Sequence, residues 1–138
     1  MKKLAKDYRK PIPTGNNEYD VNKRNEIIIE CLLPLINEYV DCKAFAKDKV
    51  KFEFRSIDET ASHAAKRYES TLAALRIEEA LRDASFVRRD VPKSKKQKKM
   101  GFTKIYELEA VLDDLGNVKI IVGERKSKMI IHYCITKK

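Results

Sequence analysis

The chain has 138 residues, 43% of them hydrophobic and 37% charged, with a formal net charge of +9. That is enough apolar sequence to bury the core of one domain, which excludes global disorder. No run approaches the ~18 apolar residues of a membrane span, and Met1 to Asp7 has no apolar segment behind its charges; a soluble, cytoplasmic protein is expected. Cys31, Cys42 and Cys134 are odd in number and lack a CxxC spacing, so reduced thiols are expected in place of a disulfide framework or a zinc site.

Residues 1–20 contain five Lys or Arg, two Pro, one Gly and two Asn without apolar periodicity, and read as a flexible basic arm. From Val21, the residues Ile27, Ile28, Cys31, Leu32, Leu35, Ile36, Tyr39 and Val40 recur at helical spacing. Pro34 must kink this helix or open a second one, because it lacks an N–H. The face at residues 21–45 suits either a cap on the core or the seam of a homodimer.

Val50 to Arg55 alternates apolar and charged residues, which predicts a strand with Val50, Phe52 and Phe54 inward. Ser56-Ile57-Asp58-Glu59 has the form of a capping box, so the strand feeds a helix carrying Ile57, Ala61, Ala64 and Tyr68. Leu72, Leu75, Ala80, Leu81 and Ala84 continue on that helix or a second one. A basic loop is expected over 88–102. Its run from Arg88 to Lys99 holds seven cations and one anion, a charge density that attracts polyanions by counterion release. Then Ile105 to Leu112, Val118 to Glu124 and Met129 to Thr136 alternate and are separated by turn sequences, which predicts a three-stranded antiparallel meander. The expected fold is α+β: N-terminal helices followed by a small antiparallel sheet of about four strands, one face covered by helix, all within one domain over 21–138.

Gly-rich phosphate loops, HExxH, GxSxG and metal-spaced acidic clusters are absent from the sequence, so neither a metal nor another cofactor is expected. Strand parity puts Ile130, His132, Cys134 and Thr136 on one face of the last strand. The same parity turns Lys51, Glu53, Arg55, Glu107, Glu109 and Lys119 to the open face. A histidine among carboxylates and cations suits metal-independent RNA cleavage, in which a base activates the 2′-hydroxyl and cations stabilise the phosphorane. His132 is the first candidate and His63, on the helix with Ser62, Lys66 and Arg67, the second; Glu107 and Arg55 complete the catalytic candidates. Arg88, Arg89, Lys93, Lys95, Lys96, Lys98, Lys99 and Lys119 are the candidate phosphate contacts.

The order of Val50 to Ser56 running into a helix with Ser62-His63, then Leu75 to Ala84, Lys104 to Leu112, and Val118 to Val122 leading to Ile131-His132-Tyr133 resembles a known class. It is similar to the barnase-like domains of phage large polyvalent proteins and of Mu F-like head protein C-termini, within the barnase, EndoU, colicin and RelE-like nucleases. The resemblance implies a metal-independent ribonuclease or toxin whose open sheet face receives RNA. His132 and His63 would be its acid and base, Arg55 or Lys119 its phosphate ligand; it does not choose between Glu107 and Glu109. The expected function is nucleic-acid processing by a protein of phage or mobile-element origin, RNA-binding and capable of ribonuclease activity. The alternatives are a non-catalytic RNA- or DNA-binding module and an interaction factor, such as an inhibitor or assembly protein, that docks its basic segment on an acidic protein.

Overall fold

A computed structural model describes residues 10–45 and 48–138, so residues 1–9 of the arm expected over 1–20 lie outside the described residues, and its last three residues belong to a helix instead. The fold is α+β. Helix α1 spans Glu18–Leu32 and starts at Asn17, whose side chain accepts a hydrogen bond from the Asp20 amide at 2.8 Å. Pro34 ends it in a single 3-10 turn, Leu33–Leu35. The chain then reverses through Asn37, at φ 65°, into strand β1 (Tyr39–Asp41), which pairs antiparallel with β2 (Lys49–Lys51). The helical spacing had carried Tyr39 and Val40 into the first helix. The reversal makes them strand residues.

Helix α2 (Phe54–Ala64) starts three residues earlier than the Ser56–Glu59 pattern predicts. Glu53 is its N-cap, and Ser56 Oγ accepts from the Glu53 amide at 3.0 Å. The expected strand over 50–55 is therefore cut to β2. Phe52 stays buried, but Phe54 becomes 58% exposed, and Arg55 stands on a helix instead of a sheet face. Helices α3 (Tyr68–Leu75) and α4 (Ile77–Asp83) follow.

The expected basic loop is structured. Its start belongs to strand β3 (Ser85–Asp90), and Lys95–Lys99 form a one-turn helix, α5, capped by Ser94 Oγ accepting from the Gln97 amide at 3.1 Å. The meander follows as β4 (Phe102–Leu112), β5 (Gly116–Arg125) and β6 (Ile130–Lys137). Gly116, at φ 95°, takes the left-handed position of the β4–β5 turn. Among the described residues the sheet has six strands, where about four were expected, in the order β1-β2-β6-β5-β4-β3. It is mixed and not purely antiparallel, because β2 runs parallel to β6.

Helices α2 to α4 lie on one face of this sheet, and α1 packs on α2 and α3. Ile28, Leu32, Ile57, Ala61, Ala74 and Leu81 meet Leu108, Ile120, Val122 and Ile135 in one apolar cluster, each fully buried Leu or Ile contributing ~1.5–3 kcal/mol. Ile27, Ile28, Leu32 and Leu35 lie inside this core and cap it, while Leu33 and Tyr39 of the same segment are exposed. A smaller cluster on the opposite face joins Met100, Phe102, Ile105, Ile131, Tyr133 and Cys134.

Strand β2 pairs with β6 only at Val50–Ile130 and Lys51–Ile131. Beyond that point helix side chains take over the ladder's role along the β6 edge. Thr60 Oγ1 donates to the Tyr133 carbonyl at 3.3 Å, Ser70 Oγ accepts from the Lys137 amide at 3.0 Å, and Arg67 Nη2 donates to the Lys137 carbonyl at 2.5 Å. An exposed backbone edge is thereby satisfied without another strand.

Arg24 of α1 is fully buried. Its Nε donates to the Ala65 carbonyl at 2.9 Å, and its Nη1 donates to Pro13 and Gly15 carbonyls at 2.9 and 2.6 Å. One guanidinium thus ties residues 13–15 and the end of α2 to α1. Arg24→Ala would strand these acceptors and leave a void; urea unfolding should show a loss of about 2–4 kcal/mol. A loss under half a kcal/mol would contradict this role.

Candidate active site

Strand β6 carries one extra residue. Opposite it, Ile121 pairs with Cys134 and Val122 with His132, so Tyr133 is a bulge. Alternation along β6 therefore changes phase at Tyr133. Cys134 and Thr136 share the open face with Ile121, Lys119, Glu107 and Glu109, as parity predicts. His132 does not: it turns to the helix-covered face and is completely buried.

The His132 ring stacks on Phe52 with centroids 4.8 Å apart, and its Nε2 lies 2.5 Å from Thr60 Oγ1. Thr60 Oγ1 also lies 3.3 Å from the Tyr133 carbonyl, so one hydroxyl bridges the ring and the next residue's backbone. Nδ1 has no partner among the described residues. Burial pushes the His132 pKa down to about 3, which keeps the imidazole neutral. His132 is a core residue, and the expectation that it acts as acid or base on an open face is corrected by the bulge.

The bulge also brings Tyr133 toward α2. Arg55, Glu59 and His63 recur every fourth residue on one stripe of that helix, opposite the buried Ile57, Ala61 and Ala64. His63 Nε2 lies 3.5 Å from Glu59 Oε2, and the His63 ring is 5.9 Å from the Tyr133 ring. The Glu59 side chain is only 12% exposed, against 40% for His63. Lys96 Nζ of α5 stands 3.4 Å from Glu59 Oε1, and Arg55 Nη1 reaches the Lys99 carbonyl at 3.5 Å. Glu59 Oε2 is buried with no direct hydrogen-bond partner among the described residues, leaving an acceptor aimed at the imidazole.

The electrostatics suit proton transfer. Burial lowers the His63 pKa below the ordinary histidine value; Glu59 opposes this and Lys66 and Lys96 reinforce it. Its imidazole is accordingly neutral, and able to accept a proton, at pH 7. Burial raises the Tyr133 pKa, the Glu59 charge adds to the rise and the Ser94 hydroxyl opposes it, so the phenol remains a hydrogen donor. Burial pushes Cys134 up to about 12, so it is no nucleophile.

Helices α2 and α5 are held in place by a fork. Arg125 Nη1 and Nη2 donate to the Glu53 carboxylate at 2.7 and 2.6 Å, while its Nε donates to the Met100 carbonyl at 2.8 Å. The first effect of these bonds is to hold the Glu53 pKa below the usual carboxylate value. The start of α2, the end of α5 and the end of β5 thus meet at one guanidinium.

Of the predicted residues, the structure brings His63, Arg55, Lys96 and Lys99 together. Lys95 and Lys98 are exposed on the same short helix. Glu107 stays apart: it pairs with Arg88 Nε at 3.3 Å and lies two strands from Cys134, roughly 10 Å across the sheet. Arg89 sits on β3, Lys93 pairs with Asp90 at 3.0 Å, and Lys119 faces Glu109 and Thr136 on the open sheet. Glu59 and Tyr133 were missed as site residues. The capping-box pattern gives Glu59 to a helix cap, although its spacing of four from His63 is the available signal; strict alternation puts Tyr133 on the face opposite His132, away from the site. Among the described residues no group of three or more His, Cys, Asp or Glu side chains is placed to hold a metal, and no helix is long and apolar enough to cross a membrane.

No protein-family model, curated protein or solved structure matches this chain.

The buried, neutral His132 gives a pH dependence of stability. Its pKa is about 3 in the fold against ~6.5 when unfolded, so the unfolded chain takes up a proton that the fold refuses. The contribution of His132 is fully present above pH 6.5 and is lost, at no more than about 1.4 kcal/mol per pH unit, as pH falls toward 3. Urea midpoints at pH 7, 5.5 and 4.5 should show this decline, and His132→Gln should flatten it. A His132→Gln slope equal to wild type would contradict the assignment.

Proposed function

We propose that this protein binds RNA along the rim between α2 and α5 and cleaves it without a metal, with His63 as the general base. The reading is carried by the partly exposed His63 imidazole, held beside the nearly buried Glu59 carboxylate, with Lys96 and the Tyr133 phenol around the same group. His63 accepts the proton of a 2′-hydroxyl, which attacks the adjacent phosphorus; the 5′-oxygen departs and takes its proton from water. Glu59 orients the imidazole and stabilises the imidazolium formed on it. Lys96 and Arg55 neutralise the phosphorane, and Tyr133 donates a hydrogen bond to it. The resemblance to phage-borne barnase-like domains implies the same chemistry with His132 and His63 as acid and base; of these two only His63 is kept in this reading, because His132 is buried in the core.

RNA incubated with the protein in EDTA should be cut to products with cyclic phosphate ends. His63→Ala should slow this by about 10²–10⁴-fold, and Glu59→Gln should slow it too, while both fold normally by circular dichroism. The rate should rise with pH through a pKa below 6.5, the ordinary histidine value from which burial depresses His63. Intact RNA under these conditions, with binding retained, would refute cleavage.

A second reading, RNA binding without cleavage, is favoured by Lys95, Lys98 and Lys99, which are exposed and form no ion pair among the described residues. Their charges stand free for phosphates. Replacing Lys95 and Lys98 by Gln should reduce the slope of log affinity against log salt by about 1.4 for single-stranded RNA, as read by fluorescence anisotropy. An unchanged slope would place the phosphates elsewhere.

A further inference from the structure

The sheet ends at β3. Five of the six residues in Ser85–Asp90 are exposed, including Phe86 at 54% and Val87 at 40%. Val91 and Val111 beside them are 62% and 65% exposed. Val87 is bulged out of the β3–β4 ladder, between the Phe86–Leu108 and Arg88–Glu107 pairs. Strand β3 reaches only as far as Ser85 opposite Glu109, so the last residues of β4 continue past it. There a groove of about 430 Å³ opens between Lys43, Asp83, Phe86, Val87, Glu109 and Val111. An unpaired backbone edge flanked by apolar side chains is a template for another strand.

The charges choose among occupants. Arg88 pairs with Glu107 but is 70% exposed, and Arg89 has no ion-pair partner among the described residues. A second copy pairing antiparallel about the centre of β3 would bring four guanidiniums together in chains that each carry +9, which is unfavourable. Nucleic acid would use the arginines but not the backbone edge or the apolar groove. An acidic strand uses all three.

We propose that β3 is a docking edge for an extended, acidic segment of another protein, which adds to the sheet beyond β3. Its backbone extends the ladder, its apolar residues cover Phe86, on the face of Leu108 and Tyr106, and enter the groove, and its carboxylates on the other face meet Arg88, which stands beside Glu107. This docking edge is separate from the His63 site, and its success or failure leaves the cleavage reading untouched.

The test uses the full chain and a labelled octapeptide alternating Val and Glu, followed by fluorescence anisotropy and by amide shifts in NMR spectra. The peptide should bind and move the amides of residues 85–90. Methylating its alternate backbone nitrogens should weaken binding about tenfold, as should Arg88→Glu or Phe86→Ser. Octaglutamate binding as tightly as the Val-Glu peptide, or indifference to N-methylation, would overturn strand addition in favour of bare charge attraction. A dimer by light scattering that Phe86→Ser converts to monomer would overturn it in favour of a second copy. Oligouridylate moving the same amides, with no response to the peptide, would overturn it in favour of nucleic acid.

Discussion

Tyr133 stands where β6 has one residue more than β5, and that single insertion decides which side chains meet. Without it, strict alternation would put His132 on the open sheet face. With it, His132 enters the core against Phe52 and Thr60, and Tyr133 turns toward Glu59 and His63. The Thr60 hydroxyl fixes the arrangement by bonding to the ring of one residue and the carbonyl of the next. A bulge disrupts the ladder locally; here side chains of α2 and α3 cover the β6 edge and satisfy its backbone.

The same helix that seals this edge presents the chemistry. Glu53 and Ser56 set the start of α2, which fixes the rotation of every later residue; the buried stripe of Ile57, Ala61 and Ala64 then forces Arg55, Glu59 and His63 to the rim. Arg125 ties that start to the end of α5, which places Lys96 against Glu59 of the α2 stripe while Lys95, Lys98 and Lys99 stand exposed beside it. Charge gathering and proton transfer belong to two short elements joined at one guanidinium. Fold and site are coupled through that junction, because loosening it releases α5 from Glu59 and His63 together.

Much of this was legible in the sequence and some was not, for physical reasons. The three long strands read clearly, because one face is packed on helices and alternation is strong in Leu108, Ala110 and Leu112 and in Val118, Ile120 and Val122. Strand β1 was hidden, since Tyr39 and Val40 continue a helical spacing and only Pro34 and the left-handed Asn37 break the helix before them. Strand β3 has no alternation of its own; pairing with β4 imposes its conformation. The face of His132 was misread because a bulge leaves no mark in an apolar run, where Ile130 to Ile135 are all buried. Glu59 lay in plain view four residues from His63, but Ser56 offered it a capping role that Glu53 in fact fills.

The chain has two histidines, so NMR titration of their ring signals reads the central claim directly. One signal, His63, should titrate below 6.5, move further down in Glu59→Gln because the opposing carboxylate charge is gone, and shift when RNA is added. The other, His132, should stay neutral until about pH 3 and ignore RNA. Two signals titrating together near 6.5, or an RNA response confined to His132, would contradict the account.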